Sequence, residues 1–249
     1  MSFDPPHSLK FHAAGSAFSA SFRRPVTHEI PTQAATHLPT VGGHGYAQVK
    51  DYEVPRLVKF TSADSHVSGS FENPNTATSE VTTSVAGLNI LNMITADRIT
   101  AHLTSEHKMN QEAHIQALGS FFENLRIGGY EFKIKLRHEI FMRNKTHAEL
   151  VKNVASPGEN GKIPATKDGV KLCTLVEEIE TNFPELTADD KKKHVVNIPH
   201  FGTITFAEVL CWPGTKILTM LRFDLGCPNV ATGHAAEAVL NGPQYPPPH

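Results

Sequence analysis

The chain has 249 residues, 39% of them hydrophobic and 19% charged, and a formal net charge of −2. That balance excludes a disordered chain, and a charge so near zero argues against nucleic acid or an acidic membrane as the main partner. No apolar run approaches the roughly 18–20 residues of a membrane-spanning helix, so no membrane partner is expected either.

Residues 1–43 are broken by Pro5, Pro6, Pro25, Pro31 and Pro39 and read as an irregular N-terminal arm, with one short strand at most, over 16–22. The first residues lack the basic stretch and apolar segment of a secretory signal, which gives a cytoplasmic location as the expectation. Residues 44–242 read as a single β-rich domain with a polar loop near 155–169 as a possible lobe boundary, and 243–249 as an extended proline-rich tail. Short alternating runs occupy 54–60 and 65–71. The longest β stretch is 79–107, rich in Thr, Val and Ile, with breaks expected at Gly87–Asn89 and Ala96–Asp97. Helical spacing appears over 145–154, and a second short helix capped by Thr187 is expected near the Lys191–Lys193 run. Cys173, Cys211 and Cys227 form no Cys-x-x-Cys pair and are expected as buried free thiols, as suits a reducing compartment.

Two segments permit a register. Gly128-Gly129 suits a tight turn, because such turns need positive φ, and pairing Ile127 with Tyr130 sets Arg126 against Glu131, Leu125 against Phe132 and Glu123 against Ile134. One face of this hairpin then carries Phe121, Leu125, Ile127, Tyr130, Phe132, Ile134 and Leu136, with Glu123 and His138 as ionisable exceptions. The second hairpin turns at Pro213-Gly214 and pairs Cys211 with Lys216, by a type II turn or a four-residue loop. Its apolar face collects Ile204, Phe206, Leu210, Ile217, Leu221 and Phe223, with Glu208 in the middle, opposite Thr219.

A carboxylate moved into an apolar interior costs several kcal/mol unless it is paired, solvated or protonated, so Glu123, His138 and Glu208 require a reason. One reason is a bulge that turns Glu123 or Glu208 outward, or a structural ion pair such as Glu123 with His138, or Glu208 with Arg222 after a local kink. The other is a sheet-lined cavity into which all three point.

The remaining motifs are negative. Fifteen histidines include no His-x-His or His-Glu-x-x-His; His28, His37 and His44, and the pair Asp64 and His66, fall short of a metal site, so neither metal nor cofactor is expected. Gly42–Tyr46 lacks the lysine and helix of a phosphate loop, and no Gly-x-Ser-x-Gly elbow is present. Basic and aromatic residues do not interleave as on a nucleic-acid platform.

The expected fold is mainly β, an antiparallel β-sandwich or open β-barrel with one or two short helices. The expected function is a non-catalytic β protein that binds a small apolar ligand in a cavity lined by Phe121, Phe132, Phe206 and Phe223, or associates into a homo-oligomer through sheet edges. The alternative is a cofactor-independent enzyme, an isomerase, cyclase or hydrolase, with Glu123, His138 and Glu208 as acid and base in an enclosed pocket.

Overall fold

The structure is a computed structural model; it describes residues 10–24, 26–73, 75–108, 111–154, 169–187, 194–199, 201–226 and 230–244. The chain forms two antiparallel sheets and two short helices, which suits a β-sandwich. In chain order the strands are β1 (Lys10–Phe22), β2 (His28–Gln33), β3 (Thr36–His37), β4 (Gly43–Val54), β5 (Val58–Asn73), β6 (Thr76–Ile90), β7 (Ile94–Lys108), β8 (His114–Gln116), β9 (Phe121–Glu123), β10 (Arg126–Ile127) and β11 (Tyr130–Leu136). Helices α1 (Ile140–Arg143) and α2 (His147–Asn153) follow. Then come β12 (Lys171–Thr174), β13 (Val176–Thr181), β14 (Val195–Ile198), β15 (Gly202–Trp212), β16 (Thr215–Leu225) and β17 (Ala231–Gln244).

The first sheet runs β12-β15-β16-β17-β1-β2, with β14 also on β15 and β3 also on β1; the second runs β13-β11-β10-β7-β6-β5-β4, with β8 and β9 along β7. Residues read from sequence as an irregular arm therefore include β1, an interior strand between β17 and β2. Its alanines and serines carry little β propensity by themselves; pairing on both edges and burial of Phe11, Phe18 and Phe22 hold it extended. The helix expected over 145–154 is α2, closed by a capping box in which Thr146 and Glu149 satisfy each other's backbone N–H groups. The helix expected near Thr187 and the tail beyond residue 244 lie outside the described residues, as does Cys227. Cys173 and Cys211 are buried and free.

Each sheet carries an irregularity that crosses several adjacent strands, four of eight in the first and five of nine in the second. In the first sheet Phe206 pairs with Leu221 and Glu208 with Thr219, which sets Ala207 opposite Met220; Ala236 faces Met220 from the other side and Ala17 beyond it. Ala207 and Ala236 have φ of 43° and 54°, in the left-handed region that costs an L-residue about 1–2 kcal/mol. The alternation slips there, and two consecutive residues turn inward on each strand: Phe206 and Ala207, Met220 and Leu221, Ala235 and Ala236, Ala17 and Phe18. All eight are fully buried.

The second sheet does the reverse. Asp51 (φ 51°), Gly87 (φ 63°) and Asn124 (φ 49°) alternate with Thr61 and Asp97 along one row. Two consecutive residues turn outward on each strand, namely Lys50 and Asp51, Thr61 and Ser62, Ala86 and Gly87, Asp97 and Arg98, Glu123 and Asn124. The inner ridge of the first sheet thus meets an inner furrow of the second. Phe18 meets Phe60 at 5.8 Å between ring centroids, and Phe206 meets Phe122 edge-on at 6.0 Å. Close beside the row, a Cβ on Gly15 would come within 2.6 Å of Thr83 Oγ1, so the sheets approach more nearly than side chains ordinarily allow.

Candidate functional site

An inward ridge leaves a dent on the opposite side of the same sheet. On the outer face of the first sheet the dent is a groove of about 560 Å³, within the range of small-molecule sites, whose lining reaches from β15 to β2. Two register rows flank the dent across four strands, Thr205, Arg222, His234 and Ser19 on one side and Glu208, Thr219, Glu237 and Ser16 on the other, and all of these but Thr205 and Ser16 line the groove.

Side chains reach across the dent. Arg222 donates to both carboxylate oxygens of Glu208, Nη1 to Oε1 at 2.8 Å and Nη2 to Oε2 at 3.1 Å. His234 contacts Ser16 Oγ through Nε2 at 3.1 Å and Ser19 Oγ through Nδ1 at 3.2 Å. Along one bank the Thr219 hydroxyl donates to Glu237 Oε2 at 3.1 Å. At the β14 end His194, nearly fully buried, holds Nε2 3.8 Å from Glu208 Oε2, and that nitrogen has no hydrogen-bond partner. Burial pushes the Glu208 carboxyl up, but the His194 ring and the Arg222 guanidinium together outweigh it and hold the carboxyl below its ordinary value.

Of the residues expected from sequence, Glu208 alone belongs to this groove. The expected pairing of Glu208 with Thr219 is present, but the slip at Ala207 turns Glu208 onto the outer face, where it meets Arg222. Glu123 does not pair with Ile134. Positive φ at Asn124 ends the hairpin after two residues per strand, and Glu123 pairs with Arg98 of β7 while Ile134 pairs with Ile179 of β13. Glu123 is exposed on the outside of the second sheet, the face of the molecule opposite Glu208. His138 lies between β11 and α1 and donates from Nδ1 to the Ala117 carbonyl at 3.0 Å. The structure brings no two of the three together.

The four phenylalanines likewise separate. Phe132, Phe206 and Phe223 are buried against other rings: Phe132 stands 6.5 Å from Phe206, and Phe223 stacks on Phe18 at 6.4 Å. The same slip leaves Phe121 39% exposed and puts Phe122 in its place against Phe206. None of the four lines a described cavity.

Sequence reasoning missed Ser16, Ser19, Thr219, His234 and Glu237, and a signal for them exists. Four strands of the first sheet each carry polar–apolar–apolar–polar: Ser16-Ala17-Phe18-Ser19, Thr205-Phe206-Ala207-Glu208, Thr219-Met220-Leu221-Arg222 and His234-Ala235-Ala236-Glu237. Residues three apart face opposite ways on an ideal strand, so the repeated pattern encodes the slip. Among the described residues no group of three His, Cys, Asp or Glu is placed to hold a metal ion, and no helix is long and apolar enough to cross a membrane.

Residues 9–159 match the family model described as Domain of unknown function (DUF8256). The chain belongs to that family. No curated protein and no solved structure matches it. The DUF8256 match ends after α2, so it takes in Ser16 and Ser19 on β1, whereas β15, β16 and β17, which complete the groove, lie beyond it.

Proposed function

We propose that this DUF8256 protein is a binding module whose outer groove holds a small organic cation, an alkyl amine or polyamine. The charge of the groove carries the reading. Four carboxylates, Glu29, Glu208, Asp224 and Glu237, line it against one guanidinium, and Arg222 is committed to Glu208. Among the described residues no cation stands within ion-pair distance of Glu29, Asp224 or Glu237. Unpaired like charges gathered in a concavity repel one another and raise the local concentration of cations. Ile30, Pro31, Leu210 and Ile217 share the lining and give methylene segments an apolar surface. A small apolar ligand, the expectation from the hairpin faces, finds less support in a groove lined mainly by polar residues.

Titration calorimetry with spermidine, and with a neutral diol of similar length as control, tests the reading. Spermidine binds and the diol does not; affinity falls as salt is added, because the attraction is screened over about 8–10 Å at physiological ionic strength. Glu237→Gln and Asp224→Asn each weaken binding several-fold. Equal binding of both probes, or spermidine binding untouched in both variants, removes the proposal.

A further inference from the structure

We infer that Ser19 is a nucleophile activated by His234, and that the groove hydrolyses carboxylic esters. The inference rests on the geometry around His234 and does not require the groove to bind a cation.

A neutral imidazole has one donor and one acceptor nitrogen, so of two serines bonded to one ring, one donates to it and the other accepts from it. Both ring nitrogens of His234 are engaged in this way, Nε2 by Ser16 and Nδ1 by Ser19. Ser19 and His234 line the groove and Ser16 does not. The arrangement that serves chemistry is therefore Ser19 donating to Nδ1 while Nε2–H donates to Ser16. A serine hydroxyl bonded to a histidine whose other nitrogen is fixed by a third group is the arrangement that makes serine a nucleophile at neutral pH.

Ser19 Oγ attacks the ester carbonyl carbon as its proton passes to His234 Nδ1, forming a tetrahedral adduct and an imidazolium. Collapse of the adduct breaks the bond to the alkoxy group, which leaves as the alcohol with the proton from Nδ1. Water then attacks the acyl-serine by the same route, giving the carboxylic acid and restoring Ser19–H and neutral His234. No oxidant, reductant or metal enters the balance. Glu237 is the register partner of Ser16 on β17 and accepts from the Thr219 hydroxyl. Ser16 is a positioning residue in this scheme.

The test has two arms on the full chain. A fluorophosphonate probe, followed by peptide mass spectrometry, is expected to label Ser19, and labelling disappears in Ser19→Ala and in His234→Ala. Hydrolysis of p-nitrophenyl acetate is expected to fall at least 100-fold in Ser19→Ala. In Ser16→Ala kcat falls while KM is unchanged, and kcat recovers in Ser16→Thr. Unchanged thermal unfolding in Ser19→Ala separates lost chemistry from lost structure. Absence of labelling, labelling at another serine, or hydrolysis that survives Ser19→Ala overturns the inference. Spermidine binding by Ser19→Ala is read separately, so failure of the nucleophile and failure of the cation site are distinguishable.

Discussion

Replacing Arg222 with methionine leaves Glu208 as a carboxylate that is 8% exposed, with the His194 ring as its one remaining ion-pair partner among the described residues. Breaking a fully buried ion pair by removing one partner costs about 3–5 kcal/mol. The Arg222 side chain is 46% exposed, so water shares in neutralising this pair and the cost falls to about 2 kcal/mol at pH 7. The dependence on pH has a definite sign. In the native protein the Glu208 carboxyl lies below its ordinary value, so its contribution to stability is present above the unfolded-state pKa and is lost as pH falls through the folded one. Burial is the largest single influence on this group. Without Arg222 its downward pull is lost, so the carboxyl moves up from its native position and the variant loses less stability than the native protein as pH falls. Urea unfolding at pH 7 and pH 4 should therefore show a gap of about 2 kcal/mol between native and Arg222→Met at pH 7 that narrows in acid. Glu208→Gln combined with Arg222→Met should be less unstable at pH 7 than Arg222→Met alone. An equal gap at the two pH values, or a neutral Arg222→Met, would refute the claim that this pair offsets a buried charge.

Gly15→Ala places a methyl 2.6 Å from Thr83 Oγ1 and 3.0 Å from Ser65 Cβ, and should lower stability by about 2 kcal/mol, with partial recovery when Thr83→Ala is added; thermal unfolding of the three variants decides this. Lys216 is 3% exposed beneath the Phe141 ring, 4.9 Å from its centroid, and burial pushes its ammonium down against the upward pull of Cys211, Glu112 and Cys173. Because its folded pKa lies below the unfolded one, native stability rises with pH between the two values. Lys216→Met should thus be neutral or more stable by about 1 kcal/mol at pH 7, an advantage that urea unfolding should show fading toward pH 10. Glu237→Gln and Asp224→Asn together should raise the melting temperature of the free protein by relieving repulsion in the groove, at ionic strengths low enough to leave it unscreened; a fall in melting temperature would mean that these carboxylates have partners in solution.

How far the sequence could be read follows from where alternation held. It held through the hairpins at Gly128-Gly129 and Pro213-Gly214, so Ile127 with Tyr130 and Cys211 with Lys216 were recoverable from turn chemistry and period-two patterning. Gly87 and Asp97 drew notice as breaks in a long β stretch, and both sit on the second sheet's outward row. The hairpin turn between them, with Leu91 and Asn92 both at φ 54°, was hidden because leucine seldom takes that conformation. The parity of Glu123 and Glu208 was read from strict alternation, and each lies just beside a position where alternation slips. A slip by one residue exchanges the faces, so a correct cross-strand partner for Glu208 still came with the wrong side of the sheet. For β1 the obstacle is different: its alanine-rich sequence extends because β17 and β2 flank it, and those contacts lie more than 200 residues away or depend on Pro31-containing chain that argues locally for a loop.

The slip also accounts for why a site can exist on this face at all. On an ideal strand Ser16 and Ser19 would point to opposite sides of the sheet, one into the core and one to solvent. Only because Ala17 and Phe18 both turn inward do the two hydroxyls share the outer face, close enough for the single ring of His234 to touch both. The same geometry lets Arg222 reach Glu208 across the dent, although the two belong to different rows of the ladder. The left-handed alanines at 207 and 236 are unfavourable as local backbone, and what they secure is double: an inner ridge that seats against the facing sheet and an outer groove whose polar banks converge. Packing alone explains the ridge. It does not explain why the groove carries a histidine bonded to two serines and three carboxylates that, among the described residues, have no cation beside them, and that excess of charge is the physical ground for assigning the groove a ligand.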